Sequence, residues 1–145
     1  MIAVIRIKGL VDIPGDSKRT MYILKIRKKN SCVLLQENPE IDGMIKKVGR
    51  YIAYGEINKE TLKNLIIKRG RIPGDKPLNI DDKKLDRFVD DLLSNKSKLG
   101  DLNLKPFFRL HPPKGGFKKS TKLSFPRGVL GNQGKNINDL VKRML

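Results

Sequence analysis

Tryptophan is absent from this 145-residue chain, which has one cysteine and one histidine. A single cysteine excludes an internal disulfide. Cys32 also lies in the apolar run Cys32-Val33-Leu34-Leu35, where a thiol is expected to be buried and inert. His111 is far from it in the chain, and no metal-ligand spacing is present. No apolar run reaches the roughly 18 residues that a membrane-spanning helix needs. Met1 to Ile5 runs straight into Arg6 and Lys8 and lacks the basic start and cleavage site of a secretory leader. Gly128, Gly131 and Gly134 precede Lys135, but a phosphate loop would need glycine where Val129 stands and Ser or Thr where Asn136 stands. They read as a glycine-rich turn. Asp81, Asp82, Asp86, Asp90 and Asp91 lack a calcium-loop pattern and read as a solvated helix face. These absences set the expectation of no catalytic residues, no cofactor and no metal, in a cytosolic protein.

Acidic residues are scarce too, and unevenly so. The formal net charge is +17, from 32 Lys+Arg against 15 Asp+Glu. Met1–Asp75 holds 16 bases and 8 acids, and Lys76–Asp101 holds 6 of each. Leu102–Leu145 has 10 bases and a single acid, Asp139, with prolines, glycines and aromatics between them. Such a segment repels itself in water and becomes favourable when a dense polyanion neutralises it. An anionic membrane would want the bases on an amphipathic helix. Here they cluster in loops and in a Pro/Gly-rich tail, which favours nucleic acid.

The apolar residues are periodic. Ile2–Lys8 alternates as a strand. Pro14-Gly15 is turn chemistry, and Asp16 or Ser17 can cap a helix running to about Lys29. Cys32–Gln36 has strand length. Asn38 suits an N-cap with Pro39 at the first helical position. Ile41, Met44, Ile45 and Val48 then form one helical face that Gly49 ends, and Tyr51–Ile57 is a third strand. The expected fold class is α+β, with a β-α-β-α-β core whose three-stranded sheet carries its helices on one face.

Asn58 can cap a helix with Leu62, Leu65 and Ile66 on one side, ended by Gly70 before the turn Arg71–Gly74. Asn79–Asp82 looks like an N-cap for a helix striped by Leu85, Phe88, Val89 and Leu92. Its opposite face, with Asp86, Asp90 and Asp91, would repel phosphate and suits packing or a protein contact. Lys96–Gly100 reads as a loop, and Lys105–Leu110 as an edge strand. Gly115-Gly116 allows positive φ, and Ser120–Pro126 reads as an extended basic arm. Asn136 can cap a last helix with Ile137, Leu140, Val141 and Met144 on one face. That helix is expected to dock on the body and tie the tail at both ends. The segments are 1–57 (core), 58–101 (helical extension) and 102–145 (basic extended loop and last helix), expected to form one compact unit.

Binding features stand out more than catalytic ones. Arg27-Lys28-Lys29 falls at the expected end of the first helix, where cations also suit the helix dipole. Lys18-Arg19 begins that helix, where the dipole does not explain them. Lys46, Lys47 and Arg50 lie off the apolar stripe of the second helix. Gly43 interrupts that helix at a cost of about 1 kcal/mol relative to Ala, which suggests close backbone approach or tight packing. The run Arg109-Leu110-His111-Pro112-Pro113-Lys114-Gly115-Gly116-Phe117-Lys118-Lys119 supplies bases for phosphates, glycines for close approach, and His111 or Phe117 for base stacking.

These residues carry a resemblance. Ile2–Gly9, Lys18-Arg19-Thr20, Asn30–Val33, Asn38-Pro39, Gly43-Met44-Ile45-Lys46-Lys47-Val48 and Tyr51–Ile57 are similar to the large-subunit ribosomal protein family called L-thirty in bacteria and archaea and L-seven in eukaryotes. Phe107–Lys119, with its specific run His111-Pro112-Pro113-Lys114-Gly115-Gly116-Phe117, and Gly131–Met144 are similar too. The extra C-terminal module, without a long basic N-terminal extension, resembles the archaeal form. The resemblance implies a ferredoxin-like core and docking on large-subunit ribosomal RNA, as a monomer within the cytoplasmic ribosome. It also implies no catalytic role, no membrane, and possible contacts to neighbouring ribosomal proteins. Carried over as RNA contacts are Lys18, Arg19, Arg27, Lys28, Gly43, Met44, Lys47, Arg109, His111, Lys114, Gly115, Gly116 and Lys118. The basic patches add Lys29, Lys46, Arg50, Pro112, Phe117, Lys119 and Arg127. The rival readings are a free-standing RNA chaperone and an enzyme acting on RNA.

Overall fold

Side chains alternate between the two faces of β1 (Ile2–Arg6), and both faces are buried, so the sheet needs a helical layer on each side. The computed structural model, which describes residues 1–78 and 80–145, has both layers. After β1 come α1 (Gly15–Ile23), β2 (Ser31–Leu35), α2 (Pro39–Val48), β3 (Ile52–Glu56), α3 (Lys59–Arg69) and α4 (Asp82–Leu93). The basic third of the chain adds β4 (Phe108–Arg109), β5 (Ser120–Ser124), β6 (Gly128–Asn132) and α5 (Ile137–Met144), with single-turn helices at Leu99–Leu102 and Gly134–Asn136. The architecture is mixed α+β.

The three expected strands form the order β2-β1-β3, with both pairings antiparallel. β2 and β3 therefore run parallel on either side of β1, and α2 crosses between them. The sheet does not stop at three strands, however. It has six, in the order β4-β2-β1-β3-β6-β5. β4 pairs antiparallel with β2 through Ser31↔Arg109 and Cys32↔Phe108, and β6 pairs parallel with β3 through Ala53↔Gly131 and Tyr54↔Asn132. Gly128–Asn132, expected as part of a glycine-rich turn, is thus a strand, and Ser120–Ser124 is the outermost strand and not an arm. Gly55 permits this closure: a Cβ there would lie 2.2 Å from the Gly134 carbonyl oxygen.

The expectation of helices on one face is also corrected. Val4, Val33 and Ile52 pack against Met21, Leu24, Ile45 and Val48, so α1 and α2 cover one face. Ala3, Ile5, Cys32 and Ala53 pack against Leu62, Leu65, Ile66, Val89, Leu92, Ile137, Val141 and Met144, so α3, α4 and α5 cover the other. Each stripe of the extension and last helix that the periodicity picks out is buried. The acidic face of α4 meets α3. Lys63 pairs with Asp86 at 2.7 Å and Lys59 pairs with Asp90, and the bond to Asp86 raises the Lys63 ammonium above its ordinary value. Asn138 links α5 to the β3–α3 junction: its Oδ1 accepts from the Asn58 backbone N–H at 2.8 Å and its Nδ2 donates to the Glu56 carbonyl at 2.9 Å.

Several caps differ from expectation. Asn38, Asn58 and Asn136 hold the N-cap positions of α2, α3 and α5, yet none makes a side-chain cap bond. Asp81 holds that position for α4, and Asn79 lies outside the described residues. Pro14, not Asp16 or Ser17, precedes α1. Gly49 follows α2 with an ordinary right-handed φ of −53°. α1 ends at Ile23, six residues before the expected Lys29. Lys25 adopts φ 60°, its N–H reaches the Tyr22 carbonyl, and the Ile26 N–H reaches the Met21 carbonyl, each at 3.0 Å. This is the two-bond helix stop usually built on glycine. Full burial of Ile26 stabilises it here despite the lysine.

Candidate nucleic-acid interface

Strand direction decides which bases meet. β1 and β4 end, and β2 and β3 begin, at the same end of the sheet. Lys8, the loop Arg27–Lys29, Arg50 and Arg109 therefore converge there. The Ile7 and Lys8 N–H groups both donate to the Tyr51 carbonyl at 3.1 Å, the Asn30 N–H donates to the Arg6 carbonyl at 2.8 Å, and the Leu110 N–H donates to the Asn30 carbonyl at 2.9 Å. α2 delivers Lys46 and Lys47 to this end in its last turn. Because α1 has already stopped, Arg27, Lys28 and Lys29 belong to a loop, and the helix-dipole account of them falls.

Arg6 holds this end together. It is 1% exposed and faces the α1–α2 side of the sheet with no carboxylate partner. Its Nε donates to the Lys8 carbonyl and its Nη2 to the Gly9 carbonyl, both at 2.9 Å. Its Nη1 donates to the Ile26 carbonyl at 3.1 Å and also to the Arg27 carbonyl. One planar cation thus clamps the β1–α1 loop to the loop that carries Arg27–Lys29. Burial lowers its pKa from the ordinary arginine value. Sequence reasoning did not single out this residue, although the signal was a charge at an inward strand position.

Lys18 and Arg19 are exposed on α1. The Arg27 guanidinium lies 3.5 Å from the centroid of the exposed Tyr22 ring. Gly43 is exposed, and a Cβ there would meet nothing within 4 Å, so packing within the molecule does not explain the glycine. Met44 is half-buried against the α1–α2 core. His111, Pro112, Lys114, Gly115 and Gly116 are exposed. Gly115 and Gly116 take φ of 72° and 73°, the left-handed region that favours glycine. This loop is tied to the end of α5. The His111 N–H donates to the Met144 carbonyl at 3.0 Å, and the Lys114 N–H to the Arg143 carbonyl at 2.9 Å. Arg143 Nη2 returns to the Lys114 carbonyl at 3.0 Å and to the Gly116 carbonyl. Arg143 was another residue missed by sequence reasoning.

Beyond Gly116 the chain crosses to the other edge of the sheet, where β6, parallel to β3, begins at the same end. Phe117 is half-buried against the core, and Lys118 is exposed. Lys119 donates to the Pro126 carbonyl at 2.9 Å and lies 4.8 Å from the Phe125 ring centroid. Arg127 follows in the β5–β6 turn, at the opposite sheet edge from β4. The tail thus links Arg109, at the β4 edge, to Arg127, beside the β5 edge. Among the described residues, the ion pairs involve Lys59, Lys63, Lys84, Lys105, Lys142 and the N-terminal amine, and none of the candidate bases.

Chemistry elsewhere is sparse. Cys32 is fully buried and burial pushes its thiol up to about 12. A cavity of about 700 Å³ is lined mainly by aliphatic side chains such as Leu34, Leu35, Ile41, Met44 and Leu99. Among the described residues no three His, Cys, Asp or Glu side chains are grouped to hold a metal ion.

The model of the family described as "Ribosomal protein L30p/L7e" matches residues 2–52. A large ribosomal subunit protein uL30 of Staphylothermus marinus is 45% identical, over 100% of this chain and 98% of its own length. The chain belongs to the ribosomal protein L30p/L7e family. A Methanococcus vannielii uL30 protein is 42% identical, over 99% of this chain and 98% of its own length. An Archaeoglobus fulgidus uL30 protein is 40% identical, over 99% of both chains. The similarity to these archaeal L30p/L7e proteins extends well past the matched core, through the helical extension and the basic tail. A family of ribosomal proteins is a family of structural components, and its member described here is not an enzyme.

Proposed function

We propose that this protein is a structural constituent of the large ribosomal subunit that binds and stabilises large-subunit ribosomal RNA in the cytoplasm. The observation that carries this reading is the convergence of unpaired bases from four separate segments at one end of the sheet. The β1 end, the α1–β2 loop, the α2 end and β4 all contribute, and among the described residues none of these bases is in an ion pair. Such a surface meets phosphates at several fixed angles, which suits folded RNA read by shape more than by sequence. Lys18, Arg19, Arg27, Lys28, Lys29, Lys46, Lys47, Arg50 and Arg109 serve as phosphate contacts. His111 and the positive-φ turn at Gly115-Gly116 offer a stacking edge and open backbone. The ferredoxin-like core of 1–57, the extension 58–101 and the tail 102–145 act as one unit, with the shared sheet fixing the tail's two roots.

Sucrose-gradient fractionation of native lysate at rising monovalent salt tests the reading directly. Co-migration with the large subunit that resists moderate salt is the expected result. Recovery only in light fractions would replace it with a transient chaperone. A finer test is Gly43→Ala. The added methyl meets no neighbour, so helix propensity should raise stability by about 0.5–1 kcal/mol. RNA affinity should nevertheless fall severalfold, since the methyl stands where a partner's backbone would approach. A thermal melt with an RNA titration separates the effects, and unchanged affinity would remove Gly43 from the interface.

A further inference from the structure

We propose that Arg69, Arg71, Lys105 and Arg109 form a preorganised pocket for a phosphate group, in which Asp75 acts as a displaceable stand-in. These side chains, with Phe107, line a cavity of about 200 Å³. The cations come from three places. Arg69 ends α3, Arg71 and Lys105 are tied by the Lys105 N–H donating to the Arg71 carbonyl at 2.9 Å, and Arg109 lies on β4. Two contacts hold the geometry. Arg69 Nη2 donates to the Leu145 carbonyl at 2.7 Å, and the Arg109 guanidinium lies 5.7 Å from the Phe107 ring centroid. Arg69 Nε is buried and has no hydrogen-bond partner among the described residues. A buried guanidinium N–H without an acceptor is costly, and it points to an acceptor that arrives from outside.

Asp75 supports the same assignment. It sits in a turn at φ 60°, and its carboxylate pairs with Lys105. Its carboxyl is held below the ordinary range first by that hydrogen bond, then by the charges of Lys105, Arg109 and Arg71. The carboxylate thus feels the cations a phosphate would meet, but it offers fewer oxygens and leaves three of the four bases without an ion pair. A phosphate can engage several guanidinium forks at once. Asp75 is well exposed and can leave when a stronger anion enters. Arg109 is shared with the proposed RNA surface, but Arg69, Arg71 and Lys105 are not, so the pocket does not depend on the RNA reading. A phosphodiester of RNA and a free phosphate share the required chemistry.

The test uses the full chain and follows arginine Nε–Hε resonances by NMR during titration with inorganic phosphate, against chloride at equal ionic strength. Arg69, Arg71 and Arg109 should shift with phosphate in a saturable way and respond little to chloride. Asp75→Asn should tighten phosphate binding severalfold, and Arg71→Gln should weaken it at least severalfold. Arg71 is chosen because Arg69 anchors the chain end and its loss could unfold the protein; a urea titration checks that both variants stay folded. Equal responses to phosphate and chloride, or an Asp75→Asn affinity equal to that of the wild type, would overturn the pocket. Large-subunit RNA added next distinguishes the sources. Displacement of phosphate from these resonances identifies an RNA phosphodiester as the occupant. Retention of phosphate while RNA binds elsewhere identifies a free phosphate-bearing ligand. If RNA does not bind at all while the phosphate shifts persist, the pocket stands and the RNA reading fails.

Discussion

Replacing Arg6 with methionine should destabilise the protein by about 3–5 kcal/mol, a large share of the roughly 5–15 kcal/mol that keeps a domain folded. Methionine preserves much of the volume, so the loss is one of hydrogen bonds. The carbonyls of Lys8, Gly9, Ile26 and Arg27 lose a charged donor at a site that is 1% exposed. Each charge-assisted bond contributes roughly 1.5–3 kcal/mol, reduced here because loop carbonyls can recruit water once the loops part. Arg6→Lys should recover only part of the loss, since an ammonium is a point donor and cannot span two loops as a planar fork does. Urea unfolding measures both variants. RNA affinity should fall with stability, because the loop carrying Arg27–Lys29 loses its attachment to β1. A midpoint shift worth less than about 1 kcal/mol would mean that packing, not the guanidinium, holds the loops.

The second large effect is on binding and leaves the fold intact. Reversing charge at Lys114, Lys118 and Lys119 together should reduce the slope of log K against log salt by roughly 2 to 3 units, at about 0.7–0.9 for each phosphate no longer neutralised. Affinity in low salt should drop by orders of magnitude. All three lysines are exposed and none is in an ion pair, so the unfolding midpoint should move little. Lys119 has local partners in the Pro126 carbonyl and the Phe125 ring, so its single reversal should carry the largest structural cost of the three. Filter binding over a salt series gives the slope. An unchanged slope would take the tail out of the interface.

The parts of the fold that were legible in the chain are those with local causes. The stripes of α2, α3, α4 and α5 follow from side chains three and four residues apart; those of α3, α4 and α5 are buried, while in α2 Ile45 and Val48 are buried and Ile41 and Met44 half-buried. The strands β1, β2 and β3 are visible as short apolar runs. Where the cause is distant, reading the chain fails. β6 is rich in glycine and asparagine and becomes a strand because β3 offers a free edge beside Gly55. α1 stops early because Ile26 must enter the core, and a lysine accepts the left-handed φ to allow it.

The candidate interface divides in the same way. Residue types carry the expectation of a polyanion partner: bases with few acids, a Gly-Gly turn, and a histidine among prolines. That Lys8, Arg27, Arg50 and Arg109 share one end of a sheet depends on strand directions, which pair segments far apart in the chain. The roles of Arg6, Arg69, Arg71 and Lys105 were hidden for this reason, since each acts through partners remote in the chain.

By itself, then, the sequence determined the excess of positive charge, the mixed α+β class and the position of most helices, because net charge and short-range periodicity are properties of the chain. Only the tertiary structure decided the six-stranded sheet, the two helical layers and the grouping of the cations, because those depend on which distant backbone edges find each other and on which charges are then left without a partner.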